Sequence, residues 1–328
     1  MSKSSPIKKI AVMTSGGDAP GMNACVRAVV RTAIYEGLEV VGIRKGYTGM
    51  IAGDFIEMQN HSVSNIIQRG GTILKSARSD EFRTKEGRAK AAKNLKQANI
   101  DALVVIGGDG SFHGAYFLNQ EHNIPVVGIP GTIDNDLYGT DYTIGYDTAI
   151  NTAMEGIDKI RDTAAAHDRL FFVEVMGRDS GFIAIECAIG GGAEAALIPE
   201  TKTDFEKVKE ILQTGLRNNK SSSLVIVAEG EEEGGAFDVA RELKETTGYE
   251  TRVCVLGHIQ RGGSPSARDR VLASRLGYAA VEAIAKGASG VMIGLVNNKI
   301  KLTPLPETWE KKKTIDDDLI QMIHVLSV

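Results

Sequence analysis

Three short stretches of this 328-residue chain set aspartates among glycines directly after apolar runs: "SGGD" at Ser15–Asp18, "GGDGS" at Gly107–Ser111 and "GTIDND" at Gly131–Asp136. Glycines let a backbone come close to phosphate oxygens, and the amides of a following helix N-terminus favour anions. An aspartate in such a turn repels phosphate unless it holds a divalent cation, which takes hard oxygen ligands. Asp109 is therefore expected to be a magnesium ligand, and Asp134 the base that accepts the proton of an attacking hydroxyl in phosphoryl transfer. Singly, each stretch reads as well as a tight or self-capped turn. Together, at successive strand ends, they argue for a nucleoside triphosphate site.

A second group lies in the later half: "HDRL" with Arg169, "VMGRDSG" with Met176 and Arg178, "AEG" with Glu229, and "ETRVCVLGHIQRGGSP" with Arg252, His258 and Arg261. Arginines beside strands or glycine turns suit bidentate capture of a phosphate, although an isolated arginine is more often a solvated side chain. His258, between an apolar run and a glycine turn, reads alone as a loop or core histidine. Glu231 to Glu233 reads as an exposed acidic loop with no chemistry.

These residues need a frame that brings strand ends together. Short apolar runs ending in Gly or Ser alternate with segments of helical period, as in a parallel sheet with crossover helices. "IKKIAVMTSGGD", "LEVVGIRKG", "IDALVVIGGDGS" and "IPVVGIPGTIDND" read as the first strands, and "LFFVEVMGRDSG", "SSLVIVAEGEEEGG" and "GVMIGLVNNK" as later ones. A helix is expected from Asn23, with Val26, Val29, Val30, Ala33 and Ile34 on one face and Gly37 as its stop. No internal repeat or low-complexity linker separates the halves, so two interleaved α/β lobes are expected. In open α/β sheets the carboxyl ends of the strands converge on one edge, where ligands bind.

Bulk properties narrow the chemistry. Thirty-eight basic against 42 acidic residues give a net charge of -4, which favours neither nucleic acid nor an anionic membrane surface. Phosphate binding must then be local. Cys25, Cys187 and Cys254 are scattered and unpaired in pattern, as for reduced thiols. The N-terminus carries no signal-like apolar run and no stretch is long enough to span a membrane, so a cytoplasmic protein is expected. No Gly-x-x-x-x-Gly-Lys-Ser/Thr occurs and no strand runs into Gly-x-Gly-x-x-Gly, which argues against a Walker-type site and a dinucleotide oxidoreductase.

"TSGGDAPGMNA", "IGGDGS", "PGTIDNDLYGTDYTIGYDTA", "VEVMGRDSG" and "VLGHIQRGGSP" resemble, in order and spacing, the bacterial ATP-dependent 6-phosphofructokinases, from Ile10 to about Gly294. The resemblance implies two Rossmann-like, three-layer α/β/α domains with mainly parallel sheets and an active site in the cleft between them. Residues 1–145 plus about 260–310 would form the larger, ATP-binding domain. About 146–259 plus 311–328 would form the smaller, fructose 6-phosphate-binding domain. It implies Asp134 as general base toward the sugar 1-hydroxyl, with Asp136 beside it and Thr132 near the transferred group. Asp109 would hold Mg2+, with Gly17, Gly108, Gly110 and Ser111 in the nucleotide loops. Arg78 and Arg178 would neutralise the transferring phosphoryl, and Phe82, Arg83 and Arg88 fall at the nucleotide's adenosine end, with Ser79 among the nucleotide-binding residues at a position that varies in the family. Met176, Gly177, Glu229, His258 and Arg261 would line the sugar phosphate site, with Arg169 and Arg252 reaching the 6-phosphate from an adjoining subunit of a homotetramer.

The resemblance also bears on donor and regulation. Pyrophosphate-using relatives usually carry Asp and Lys where this chain has Gly110 and Gly131, so both positions favour ATP. Arg27, Arg31, Arg161, Glu194 and Lys220 match effector-site residues, whereas Asn60, Asn65 and Asn218 replace charged residues of some members. An ADP or phosphoenolpyruvate effector is expected to bind more weakly than in strongly regulated members. The rival readings are a pyrophosphate-dependent enzyme, an NAD or lipid kinase, and a non-catalytic sugar-phosphate-binding homologue. The last should have lost its base or metal aspartate, and Asp134, Asp109 and Arg78 are all present.

Overall fold

A computed structural model describes residues 7–165, 170–217, 223–231, 234–247 and 250–327. The strands are β1 (Lys9–Thr14), β2 (Glu39–Ile43), β3 (Phe55–Glu57), β4 (Ala102–Gly107), β5 (Val126–Pro130), β6 (Leu170–Val175), β7 (Ala195–Leu197), β8 (Ser223–Ala228), β9 (Thr251–Val255), β10 (Val291–Val296) and β11 (Lys299–Pro304). The helices are α1 (Met22–Tyr35), α2 (Gly46–Ala52), α3 (Lys85–Gln97), α4 (Asp109–His122), α5 (Tyr146–Ala165), α6 (Phe182–Gly191), α7 (Phe205–Arg217), α8 (Ala236–Thr247), α9 (Ala267–Ala285), α10 (Glu307–Glu310) and α11 (Asp317–Leu326). The chain divides into two compact units. The larger comprises Met1–Ile133, Leu137–Asp147 and Arg261–Lys313, and the smaller Asp134–Asp136, Thr148–Gln260 and Thr314–Val328.

The larger unit is built on a sheet in the order β11-β10-β5-β4-β1-β2-β3, parallel except for the antiparallel edge strands β3 and β11. β4 and β5 are buried along their whole length, as strands covered on both faces must be. Alternation of side chains sends Ala11, Met13, Leu103 and Val105 to one face, where they pack with Met50, Leu95, Phe112 and Leu118 of α2, α3 and α4. The apolar stripe of α1 covers the other face beside α9. That stripe ends where expected: Gly37, at φ 76°, carries the chain out of the helix.

The smaller unit has a four-stranded parallel sheet in the order β7-β8-β6-β9. Leu170, Phe172, Val225 and Val227 pack against Val208 and Leu212 of α7 and Val239 and Leu243 of α8. α6 contacts β7 and β8, and α11 packs on α6. Both units therefore carry mainly parallel sheets with covering helices, as the sequence pattern implied. The short strands β3 and β7 and the Lys-rich edge strand β11 were not legible, because three residues set no period and charges blunt an edge. Burial raises the Cys187 thiol to about 12 and the Cys25 thiol further, so both stay protonated. No helix among the described residues is long and apolar enough to cross a membrane.

Candidate active site

The three glycine–aspartate turns follow the adjacent strands β1, β4 and β5 of the larger unit, and the aspartates of the third, Asp134 and Asp136, belong to the smaller unit. The amide of Ser15 donates to Ile106 O (2.9 Å) and that of Gly131 to Gly107 O (2.9 Å), which sets the three strand ends level. The strand order reverses between β1 and β4, where a parallel sheet opens a crevice for ligands. Packing dictates some of these glycines. A Cβ on Gly107 would stand 2.6 Å from both Ser111 Oγ and Ser15 O, and one on Gly131 2.9 Å from Ile106 Cγ2. Gly110 differs: a Cβ there meets nothing within 4 Å and its φ is ordinary, so the protein itself gives no reason for glycine.

Asp109, Gly110 and Ser111 form the first turn of the fourteen-residue α4, capped by Gly108 in extended backbone. The Asp109 carboxylate is half exposed, with Oδ1 3.0 Å from His113 Nδ1 one turn on, and His113 stacks on Trp309 at 3.8 Å between ring centroids. The i,i+4 spacing of Asp109 and His113 was the available signal for this pair, and sequence reading missed it. Among the described residues no three His, Cys, Asp or Glu side chains gather as a metal cage. A single hard carboxylate beside a helix N-terminus fits Mg2+, which takes its remaining ligands from phosphate and water.

Thr132 is buried and its carbonyl accepts from Thr143 Oγ1 (2.6 Å). Arg261, expected at the sugar phosphate, lies in the larger unit over Gly17: a Cβ on that glycine would be 2.6 Å from Nη1, which donates to Asp18 O (3.3 Å). Arg78 is exposed, and Ser79 Oγ accepts from the amide of Phe82 (3.3 Å). The Phe82 ring is in the core, stacked on Tyr47 at 3.9 Å, while Arg83 is exposed near Asp80.

Arg88 corrects an expectation. It was placed with the adenosine contacts, yet its guanidinium is buried, donating from Nε and Nη2 to both oxygens of Glu121 (2.7 and 2.8 Å) and from Nη1 to Arg83 O (2.6 Å). The hydrogen bond from Arg88 holds the Glu121 carboxyl below the usual carboxylate range. Arg88 thus ties the Ser79–Arg83 turn to the far end of α4.

In the smaller unit, Asp134 is almost fully buried, with Oδ2 3.4 Å from Arg178 Nε, and its carbonyl accepts from Ser180 Oγ (3.0 Å). Asp136 is half buried two residues on. Arg178 sits at φ 53°, uncommon for a residue with a side chain, and follows Gly177 at φ 149°. Glu229 Oε1 accepts from the amides of Gly177 (3.3 Å) and Arg178 (2.8 Å). Gln260 Oε1 accepts from the amide of Met176 (2.8 Å). Gln260 was not singled out in the sequence, although it stands inside the "GHIQRGG" motif.

His258 is exposed in the short helical turn Gly257–Arg261. Arg252 is exposed on the edge strand β9, ion-paired with Glu250. Glu231 corrects the acidic-loop reading: it is buried and accepts from Thr203 Oγ1 (2.5 Å). Of the effector residues, Arg27 and Arg31 share a face of α1, where partial burial and then the Arg31 charge lower the Arg27 guanidinium below its usual value. Arg161 donates to the carbonyls of Gly191 and, at 2.7 Å, Gly192; Glu194 is buried and accepts from the amide of Leu224 (2.5 Å). Arg169, Lys220 and Asn218 lie outside the described residues, as do Glu232 and Glu233.

Comparison with known proteins gives this arrangement its relatives. The chain is 59% identical over 322 residues to ATP-dependent 6-phosphofructokinase 1 of Thermus thermophilus, covering 98% of this chain and 100% of that one. It is 58% identical to the ATP-dependent 6-phosphofructokinase of Cytophaga hutchinsonii, over 98% of each. Among solved structures, phosphofructokinase from Saccharomyces cerevisiae superposes with a TM-score of 0.89 at 39% identity, over 98% of this chain and 48% of that longer one. The pyrophosphate-dependent phosphofructokinase of Marinobacter aquaeolei gives a TM-score of 0.84 at 24% identity over 97% of this chain and 91% of that one, a likeness of fold alone. Residues 9–284 match the phosphofructokinase family, and on that match and these identities the chain belongs to it.

Proposed function

We propose that this protein is an ATP-dependent 6-phosphofructokinase, moving the γ-phosphoryl of ATP to the 1-hydroxyl of fructose 6-phosphate. The observation that carries the reading is the 59% identity, over essentially the whole chain, to a relative named for that reaction. Gly110 supports ATP as donor, because a Cβ there would meet no protein atom and the glycine leaves the mouth of α4 open to a bulky ligand, where a carboxylate would repel its phosphates. Gly131 supports it less than the sequence implied, since packing against Ile106 already demands a glycine there. The pyrophosphate alternative is left without its charged residues, and a non-catalytic homologue without its expected losses.

In this mechanism Asp134 accepts the proton of the sugar 1-hydroxyl as its oxygen bonds to the γ-phosphorus and the bond to the ADP oxygen breaks. Arg178 and Arg78 place guanidinium charge against the phosphoryl oxygens, where negative charge is spread in the transition state. Thr132 orients the transferred group, and the α4 N-terminus with Gly17, Gly108 and Ser111 receives the donor's phosphates. Mg2+, when bound, offsets phosphate charge, and Asp109 would hold it. Ser79, Phe82 and Arg83 frame the nucleoside end, Phe82 through its main chain. Met176, Gly177, Glu229, His258 and Arg261 bind the sugar phosphate, completed by Arg169 and Arg252 of an adjoining subunit in a cytoplasmic homotetramer. Arg27, Arg31, Arg161, Glu194 and Lys220 form a weak site for ADP or phosphoenolpyruvate. Arg161 and Glu194 already serve main-chain groups, which leaves less of their charge for a ligand.

The deciding experiment is a magnesium-dependent assay of fructose 1,6-bisphosphate formation, with ATP and pyrophosphate as parallel donors. Turnover with ATP alone supports the reading. Turnover with pyrophosphate alone sinks the donor argument, and turnover with neither favours a binding protein.

A further inference from the structure

Three consecutive amides, those of Met176, Gly177 and Arg178, leave the carboxyl end of β6, and each donates to a side chain rather than to the main chain. Glu229 takes two, Gln260 the first. The turn is also closed from behind: a Cβ on Gly230 would stand 2.0 Å from Arg178 O. These contacts over-determine the turn and hold Arg178 in the left-handed region, at φ 53°, which a residue with a side chain occupies at a cost. Its reward is the orientation of the guanidinium, with Nε 3.4 Å from the Asp134 carboxylate.

Gln260 is fully buried, and its Nε2 has no hydrogen-bond partner among the described residues. A buried amide that leaves a donor unsatisfied is costly, so its place in the fold calls for a gain elsewhere. An apolar side chain would fill the volume without that cost, but would leave the Met176 amide unheld.

We infer that Gln260 is a positioning residue: by accepting from the Met176 amide it holds the Met176–Arg178 turn so that Arg178 faces Asp134. Gln260 acts through the turn and need not touch substrate. The inference rests on the catalytic reading of Arg178 and Asp134 given above.

The experiment combines amide hydrogen exchange, read by mass spectrometry, with steady-state kinetics on the full-length enzyme. Gln260→Met removes the acceptor at similar volume. Exchange is expected to quicken in the peptide spanning Met176–Ser180, and there alone. The accompanying loss in kcat/KM for fructose 6-phosphate is about 10- to 100-fold, with KM for ATP held within about twofold. Gln260→Glu keeps an acceptor oxygen in either protonation state, and should restore slow exchange and most of the sugar-phosphate kcat/KM. If Gln260→Met does not fold, Gln260→Ser, too short to reach Met176, replaces it. Unchanged exchange in the turn, or both KM values and the exchange of the whole smaller unit shifting together, overturns the inference. If the parent enzyme forms no fructose 1,6-bisphosphate, the proposed function fails instead, and the exchange pattern alone then decides whether Gln260 holds the turn.

Discussion

The turns after β1, β4 and β5 in the larger unit are shaped by missing side chains, whereas the turn after β6 in the smaller unit is shaped by present ones. At Gly107 and Gly131 any Cβ would collide with a neighbouring strand or turn, so the backbone lies close and bare. At Met176–Arg178 the backbone is held off its easy conformation by Glu229 and Gln260. The first arrangement leaves bare backbone and a helix N-terminus open to solvent. The second aims a single cation, Arg178, at Asp134. Under the proposed function these would serve a long anionic donor and a single placed guanidinium, which call for different construction.

The contrast can be broken at several points. The largest effect belongs to Asp134→Asn, which keeps the shape and removes the base: kcat should fall at least about 10²-fold with the fold intact, as turnover and circular dichroism would show. Next comes Gly110→Asp. An acidic residue in the first turn of α4 suits the helix and meets no protein atom, so melting should be unchanged while KM for ATP rises steeply. Its counterpart, Gly131→Ala, should instead lower stability by about 1–3 kcal/mol in denaturant titration, because the new methyl crowds Ile106. Equal behaviour of the two glycine variants would erase the distinction drawn between them.

Arg88→Met should destabilise by about 2 kcal/mol, because Glu121 and the Arg83 carbonyl lose a charged donor. KM for ATP should rise more than KM for fructose 6-phosphate, since the tethered turn belongs to the larger unit. The smallest effect concerns pH. Burial, and then the charge of Lys207 3.2 Å away, lower the His324 imidazole below its usual 6.5. The unfolded chain then binds a proton that the folded one refuses. Stability is full above about 6.5 and falls as pH drops through that value toward the folded pKa. His324→Gln should flatten that part of the curve of stability against pH, and a slope unchanged by the substitution would remove His324 from the account.

Legibility follows the same contrast. The turns of the larger unit were readable because glycine and aspartate next to an apolar run leave a local signature; β4 was readable as an unbroken apolar run, and α1 because its apolar residues recur with the helical period. Arg88 was misplaced because an arginine near a ligand loop looks the same whether it faces a phosphate or, as here, Glu121 thirty-three residues on. Glu231 misled for a similar reason: in a run of three glutamates nothing local marks the one that Thr203 draws inward.

The sequence by itself determined the α/β class, the parallel sheets, the place of the three aspartate turns at successive strand ends and the family, since each is written in short contiguous runs. Only the tertiary structure decided that Gly131 answers to packing and Gly110 does not, that Arg88 serves its own fold, and that Gln260 holds a turn 84 residues away. The physical reason is range. Backbone preference and burial period act within a few residues of the chain, while a hydrogen bond between a side chain and a distant amide exists only once the fold has brought the two together.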